Sequence, residues 1–164
     1  DVYKRQSYNH WSGAIVLTSD TSSGSLIKKG PLWKYKLNNF DSNHLLDGLT
    51  QLVRSYYLAG AEEIMVSSSP TMHWKKSNNE DIDKFLNKIL SIKNQPYRLL
   101  LGSAHQMGTA RINPNPEHGV VDLNGKVHGL ENVYVVDAST FPRCSGVNPM
   151  ISIQSMSHFL MSNV

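Results

Sequence analysis

The last third of the chain combines several residue types that an enzyme site requires. His105 lies in the small-residue segment SAHQMGT, Asp137 ends the apolar run VYVVD, and Asn148-Pro149 opens a helical pattern. An imidazole, a carboxylate, an amide and a helix N-terminus are groups that can act on a polar substrate group beside a bound cofactor. The sequence therefore favours an enzyme, with its active-site residues in this segment.

Composition excludes several other classes of protein. The net charge is +3, but the lysines form scattered pairs rather than a basic face with interleaved aromatic residues, so no nucleic-acid partner is predicted. The only cysteine, Cys144, excludes an internal disulfide and a cysteine-based zinc site, and no histidine pair has metal-ligand spacing, so no metal is predicted. The apolar runs are shorter than the roughly 18 residues of a membrane span, and localisation stays open.

The N-terminal part of the chain predicts a hairpin or meander. Residues Trp11–Thr18 are apolar and β-branched, and Pro31–Leu37 alternates apolar residues with lysine, as expected for strands with one wet face. The candidate core residues here are Ala14, Val16, Leu32 and Tyr35.

Two helices are predicted in the middle of the chain. The first begins with Asp41 or Ser42 as its N-cap and ends at Gly60, and the second opens with a capping box of Ser77 and Glu80. Their apolar faces comprise Leu45, Leu49, Leu52, Val53 and Tyr56 in the first, and Ile82, Phe85, Leu86, Ile89 and Leu90 in the second.

Short strands and turns are predicted around these helices. Glu63–Ser67 and Arg98–Leu101 are typical of short strands, while His73 and Trp74 are assigned to a solvent loop, with a place in a substrate wall as the alternative. Residues 120–127 predict a hairpin turn at Asn124-Gly125, and the apolar run 133–136 predicts a strand buried on both faces of a sheet.

The chain contains no Gly-x-Gly, so the glycine turn that cradles a dinucleotide pyrophosphate is absent from it.

Three motifs resemble, in order and spacing, the C-terminal signature of the glucose-methanol-choline (GMC) oxidoreductases. They are HQMGT at His105–Thr109, VDASTFP at Val136–Pro142 and GVNPM at Gly146–Met150, and their wording is most similar to the long-chain fatty alcohol oxidase branch. One departure is Asn113, where relatives usually have glycine.

The resemblance implies an α+β fold with a mainly antiparallel or mixed sheet and helices on one face. Residues 1–101 would form a substrate-binding domain truncated at its N-terminus. Residues 102–164 would supply the histidine turn and the closing strand and helix of a Rossmann-type FAD domain. The rest of that domain, including the pyrophosphate cradle, would come from an N-terminal half outside this chain.

The resemblance also implies the roles of individual residues. His105 corresponds to the catalytic base, and Asn148 would hydrogen-bond the substrate oxygen. Asp137 and Ala138 would contact FAD, and Asn148, Pro149 and Met150 would meet the flavin, with the Met150 N–H as a donor. From the residues alone, the alternative for Asp137 is an N-terminal cap of the next turn, and Asn148 is a helix N-cap followed by proline.

The resulting prediction is an FAD-dependent oxidoreductase that takes hydride from the CH–OH group of a long-chain primary alcohol, with His105 as base. The alternatives are a sugar, polyol or choline-type dehydrogenase of the same family, and a non-catalytic binding domain on the same scaffold. The chain alone is expected to be inactive. The electron acceptor, whether oxygen, a quinone or a cytochrome, stays open.

Overall fold

The computed structural model describes residues 8–27, 33–92, 95 and 97–162. The chain divides into two compact units, one ending at Leu100 and one beginning at Leu101. The described residues form three α-helices and two antiparallel two-stranded sheets, which confirms the predicted α+β class. Among them, no helix has the length and apolar character to cross a membrane.

The first helix, α1, spans Asn39–Leu58. Its N-cap is Asn38, whose side chain accepts a hydrogen bond from the Asp41 N–H at 2.8 Å. The prediction of Asp41 or Ser42 as the cap was wrong, because the Asn38 side chain performs this function nearer the N-terminus. The predicted stop is confirmed, since Gly60 has φ +88° directly after the C-cap, a conformation that favours glycine.

Asp41 connects α1 to the chain that precedes it. The fully buried carboxylate accepts hydrogen bonds from the backbone and hydroxyl groups of Thr21 and from those of Ser22, at 2.5 to 3.2 Å. Burial would raise the pKa of Asp41, but the hydrogen bonds from Ser22 and Thr21 outweigh it and hold the pKa below its ordinary value. The network ties the Thr21-Ser22 segment to the first turn of the helix.

The N-terminal hairpin is much shorter than predicted. Residues 11–24 form no strand, and among the described residues of this region only β1, Ser25–Leu26, and β2, Trp33–Lys34, pair in antiparallel register. Val16 instead packs on α1, where a Cβ added at Gly48 would lie 2.7 Å from the Val16 side chain. Two other predicted core residues, Ala14 and Tyr35, are exposed, and Leu32 lies outside the described residues.

A second hairpin carries much of the core. The predicted strand is confirmed as β3, Glu63–Val66, and it pairs with β4, Met72–Lys75. The predicted solvent loop was therefore wrong: Trp74 is only 2% exposed, and its Nε1–H donates to the Glu80 carbonyl at 2.9 Å. His73 contacts the Glu63 carboxylate at 2.9 Å on the opposite face of the hairpin.

The second helix, α2, spans Ile82–Leu90. Its N-cap is Asp81, whose carboxylate accepts a hydrogen bond from the Asp83 N–H at 2.9 Å. The predicted capping box at Ser77 and Glu80 was wrong, because residues 76–78 form a separate 3-10 turn. The predicted apolar face is buried except for Leu90. The core of this unit comprises Leu46, Val53, Ile64, Val66, Met72, Trp74, Ile82, Phe85, Leu86, Ile89 and Ile92.

The predicted strand at Arg98–Leu101 is reduced to one β-bridge between Leu99 and Ser68. The Ser69 N–H donates to the Arg98 carbonyl at 2.8 Å, and the Leu100 N–H donates to the Ser67 carbonyl at 3.1 Å. The segment thus extends the edge of the hairpin beyond β3.

The second unit is built on a tight turn and a helix. The Asn124-Gly125 hairpin turn is confirmed: Gly125 has φ +78°, and Val121 bridges Val127. The third helix, α3, spans Met150–Met161, and its buried Leu160 packs within 3.3 Å of the position a Cβ on Gly125 would take.

The run 133–136 was predicted to be a strand buried on both faces, and this was wrong for the described residues. It forms one bridge, between Tyr134 and Lys126, and Val133 is 45% exposed. A strand buried on both faces needs a packed layer on each face of its sheet. In the described part of the chain, the backbone of this run pairs only with Gly125, Lys126 and Val127, and the Ser157 hydroxyl donates to the Val136 carbonyl.

Candidate active site

His105 lies in an irregular, exposed segment, and Gly108 follows three residues later. Gly108 has φ +82°, a backbone conformation that side chains with a Cβ rarely adopt. A Cβ added there would lie 3.3 Å from the Phe141 carbonyl oxygen and 3.7 Å from the Arg111 guanidinium. Glycine therefore permits the histidine turn to approach Phe141 closely.

The segment His105–Thr109, here called the histidine turn, is followed by residues that bond to the segment leading to Asn148. The Ala110 N–H donates to the Ser139 carbonyl and the Ile112 N–H donates to the Thr140 carbonyl, both at 2.9 Å. The Cys144 thiol lies 3.9 Å from the His105 carbonyl oxygen. These contacts bring the His105 backbone beside a residue only four positions before Asn148.

Asp137 is the N-cap of a 3-10 turn at Ala138–Thr140. Its carboxylate accepts from the Ser139 N–H at 2.8 Å and from the Ser139 hydroxyl. These two hydrogen bonds, the hydroxyl one first, hold the pKa of Asp137 below its ordinary value. The capping alternative is therefore confirmed, and the contacts of Asp137 and Ala138 with a cofactor stay predictions.

Asn148 does not cap α3, so that part of its expected role was wrong. Pro149 occupies the N-cap with a non-helical backbone (φ −94°, ψ 2°), and Met150 is the first helical residue, one position later than the predicted start. The Asn148 side chain is exposed. Among the described residues, no hydrogen bond joins the His105 and Asn148 side chains, so their action on one substrate oxygen stays a prediction.

The start of α3 fits the anionic side of a flavin. No side chain caps the helix, so the N–H groups of its first turn carry the partial positive charge of a helix N-terminus without a side-chain acceptor. Three large apolar side chains around it, Val147, Met150 and Ile151, are 67 to 73% exposed. Open N–H donors beside an apolar surface suit a flat aromatic group that carries negative charge on one edge.

Two features of this site were not foreseen from the sequence. Thr140 is fully buried, and its hydroxyl donates to the Asp137 carbonyl at 2.8 Å. The Asp-Ala-Ser-Thr pattern, typical of a capped short turn, was a signal for it. The contact of Cys144 with the His105 backbone joins residues 39 positions apart, and no local pattern indicates it. The described residues contain no cluster of three or more potential metal ligands.

Comparison with known proteins gives a family match across most of the chain. The model of the GMC oxidoreductase C-terminal domain matches residues 12–157. The long-chain-alcohol oxidase FAO3 of Arabidopsis thaliana is 31% identical over all of this chain and 23% of its own length. The long-chain-alcohol oxidase FAO4A of the same plant is 33% identical over 92% of this chain and 21% of its own length.

A third relative matches over a shorter stretch. The 6'''-hydroxyparomomycin C oxidase of Streptomyces lividus is 46% identical over 54 residues, which are 33% of this chain and 10% of that protein. This chain spans less than a quarter of the length of each of these relatives. Since the family match includes all three C-terminal motifs, the chain belongs to the GMC oxidoreductase family.

Proposed function

We propose that this chain is the C-terminal part of a longer FAD-dependent oxidoreductase that oxidises the CH–OH group of a long-chain primary alcohol. The observation that carries the proposal is the family match over residues 12–157, which includes His105, Asp137 and Asn148. Two relatives named long-chain-alcohol oxidases, aligned over 92% or more of the chain, support this substrate class.

Alcohol oxidation removes the hydroxyl proton and transfers a hydride from the carbon. A bound FAD would supply the hydride acceptor. His105 takes the hydroxyl proton on a ring nitrogen, because an imidazole suits a general base. The Asn148 amide hydrogen-bonds the alcohol oxygen and orients it, and it cannot itself take the proton at neutral pH.

The start of α3 would hold the flavin side of the cofactor. The N–H groups of Met150 and Ile151, after the N-cap Pro149, would stabilise negative charge there. The Asp137-Ala138 turn would contact the sugar-alcohol and phosphate region. Asp137 has an acceptor-only carboxylate that Ser139 already holds in place.

We also propose that the remainder of the longer protein covers α3. Only Leu160 of this helix is buried, although the apolar side chains of Met150, Ile151, Phe159 and Met161 are more than half exposed. Large apolar side chains exposed together on one element are typical of a surface that another part of a protein covers. Residues 1–101 would then form the substrate-binding part and residues 102–164 the catalytic part, and the division of contacts after Leu100 supports this boundary.

A second candidate is oxidation of a hydroxyl compound other than a long-chain alcohol. The relative named 6'''-hydroxyparomomycin C oxidase has the higher identity, 46%, although over only 54 residues. A sugar, polyol or choline-type substrate therefore remains the second candidate. A non-catalytic binding domain is the third.

The test uses the purified full-length protein that contains this chain. Anaerobic addition of hexadecanol should bleach the visible absorbance of its bound flavin, whereas glucose and choline should do so much more slowly. Reduction by glucose or choline alone would refute the long-chain assignment. A flavin that none of the three reduces would refute catalysis and favour a binding function.

A further inference from the structure

Thr140 is a buried polar residue at the centre of the second unit, only 1% exposed. Its hydroxyl and its N–H donate to the Asp137 carbonyl, at 2.8 and 3.1 Å. Its own carbonyl accepts from the Ile112 N–H at 2.9 Å. One residue therefore bonds the Asp137 turn on one side and the chain after the histidine turn on the other.

The neighbouring residue repeats this arrangement. Ser139 donates its N–H and hydroxyl to the Asp137 carboxylate, and its carbonyl accepts from the Ala110 N–H at 2.9 Å. The consecutive carbonyls of Ser139 and Thr140 thus accept hydrogen bonds from the N–H groups of Ala110 and Ile112. These two residues closely follow Gly108. A shift of the 3-10 turn would move the histidine turn with it.

We infer that Thr140 is a positioning residue for alcohol oxidation: its buried hydroxyl holds the Asp137 turn, and its carbonyl bonds Ile112 in the chain that follows His105. This inference rests on the proposed function. Thr140 is buried, so it acts through other residues rather than on the substrate. Small displacements of a catalytic group strongly reduce the rate, so a device that fixes the histidine turn affects catalysis beyond stability.

The hydroxyl of Thr140, rather than its shape, holds the turn whose carbonyls bond Ala110 and Ile112. Thr140→Val keeps the volume but removes the hydroxyl donor to the Asp137 carbonyl. The turn then keeps the Thr140 N–H bond to that carbonyl at 3.1 Å and the two bonds from Ser139 to the Asp137 carboxylate. Thr140→Ser keeps the donor and removes one methyl group. Rescue by serine therefore separates the hydrogen bond from packing.

Thr50 provides a matched control in the first unit. It is 8% exposed, and its hydroxyl donates to the Asp47 carbonyl three residues earlier, at the same 2.8 Å distance. Thr50→Val removes an equivalent bond from a buried threonine in α1. It should destabilise the protein similarly without affecting the histidine turn.

The experiment compares wild type, Thr140→Val, Thr140→Ser and Thr50→Val in the full-length protein. The first readout is the anaerobic rate of flavin reduction at saturating hexadecanol, and the second is hydrogen exchange in peptides covering residues 105–112. We expect Thr140→Val to lower the rate by about 10- to 100-fold and to speed exchange in those peptides. Thr140→Ser and Thr50→Val should match wild type in both readouts.

Two results would overturn the inference while leaving the proposed function standing. One is an active wild type with a Thr140→Val variant that matches Thr50→Val in rate and exchange. The other is a Thr140→Ser variant as slow as Thr140→Val, which would assign the effect to packing. A wild-type flavin that no alcohol reduces would instead refute the proposed function and, with it, the catalytic role of Thr140.

A second substitution applies if Thr140→Val does not fold. Thr140→Cys keeps only a weak S–H donor in a side chain of similar size. Its rate of flavin reduction should be lower than that of wild type but by less than the roughly 10- to 100-fold expected for Thr140→Val. Its hydrogen exchange in peptides covering residues 105–112 should be faster than in wild type. A cysteine variant equal to Thr140→Ser in both readouts would overturn the inference.

Discussion

Replacement of Gly108 by alanine tests whether the close approach of the histidine turn to Phe141 matters for function. The residue has φ +82°, and a left-handed conformation costs a residue with a Cβ about 1–2 kcal/mol. The new Cβ would also lie 3.3 Å from the Phe141 carbonyl oxygen, tighter than ordinary van der Waals contact. Relief of that contact requires the two segments to separate by a few tenths of an ångström.

Gly129 supplies the control for backbone strain. It has φ +78° in the same unit, but a Cβ there would meet no atom within 4 Å. Gly129→Ala should therefore carry only the conformational cost, about 1–2 kcal/mol. Any additional effect of Gly108→Ala then reports the contact with Phe141.

The assay measures thermal stability and anaerobic flavin reduction in the full-length protein. Both variants should lower the melting temperature, and Gly108→Ala should lower it more. Only Gly108→Ala should slow flavin reduction, by about 10-fold or more, because it moves the His105 turn away from Phe141. Equal reduction rates in the two variants would refute the claim that this approach positions the histidine.

Two further predictions concern the stability of the first unit. Because the pKa of Asp41 is lowered in the folded state, its stabilising contribution should be present above its ordinary value of 3.8 and should decline as the pH falls through the lower folded value. Urea denaturation from pH 7 to pH 3 should show this decline, and Asp41→Asn should flatten it; an unchanged pH profile would contradict the role of the network. Phe85→Ala leaves a cavity at a fully buried site and should lower the free energy of unfolding by about 3–5 kcal/mol. Phe40→Ala, at an exposed site, should lower it by less than about 0.5 kcal/mol. Similar losses in the two phenylalanine variants, measured by urea denaturation, would contradict the assigned core.

Local patterns were sufficient to predict most of the apolar face of α2 and two turns, whereas the predicted face of α1 included Val53 but missed the buried Leu46. The Gly60 stop, the Asn124-Gly125 turn and most of the apolar face of α2 depend on residues near each other in sequence. The β4 strand was missed although its residues alternate. Met72 and Trp74 face the core while His73 and Lys75 face outward, but the serine-rich, proline-containing segment before them favoured a loop.

Long-range contacts explain the remaining errors. Asp41 is a good cap residue by type, but Thr21 and Ser22 occupy its carboxylate, and no local pattern reveals that pairing. The β-branched run 11–18 lacks a strand partner among the described residues, and Val16 packs on a helix instead. The run 133–136 was predicted as an interior strand, but in the described part of the chain its backbone pairs only with residues 125–127 and forms a single β-bridge.

The site itself was predicted from motif resemblance more than from physical pattern. His105 and Asn148 were chosen from their motifs, and the structure adds the bonds that join the segment 105–112 to Ser139, Thr140 and Cys144. The buried threonine and the Cys144 contact emerged only from the three-dimensional arrangement.

The most direct test of the catalytic claim is the anaerobic rate of flavin reduction in full-length His105→Ala. His118→Ala, at an exposed histidine in the same unit, is the matched control. Loss of the base should slow reduction by on the order of 10²- to 10⁴-fold at saturating alcohol. The flavin content should remain at the wild-type level, and His118→Ala should keep the wild-type rate. A His105→Ala variant that reduces its flavin within a few-fold of the control would remove His105 from the mechanism, and one that loses its flavin would assign it to cofactor binding instead.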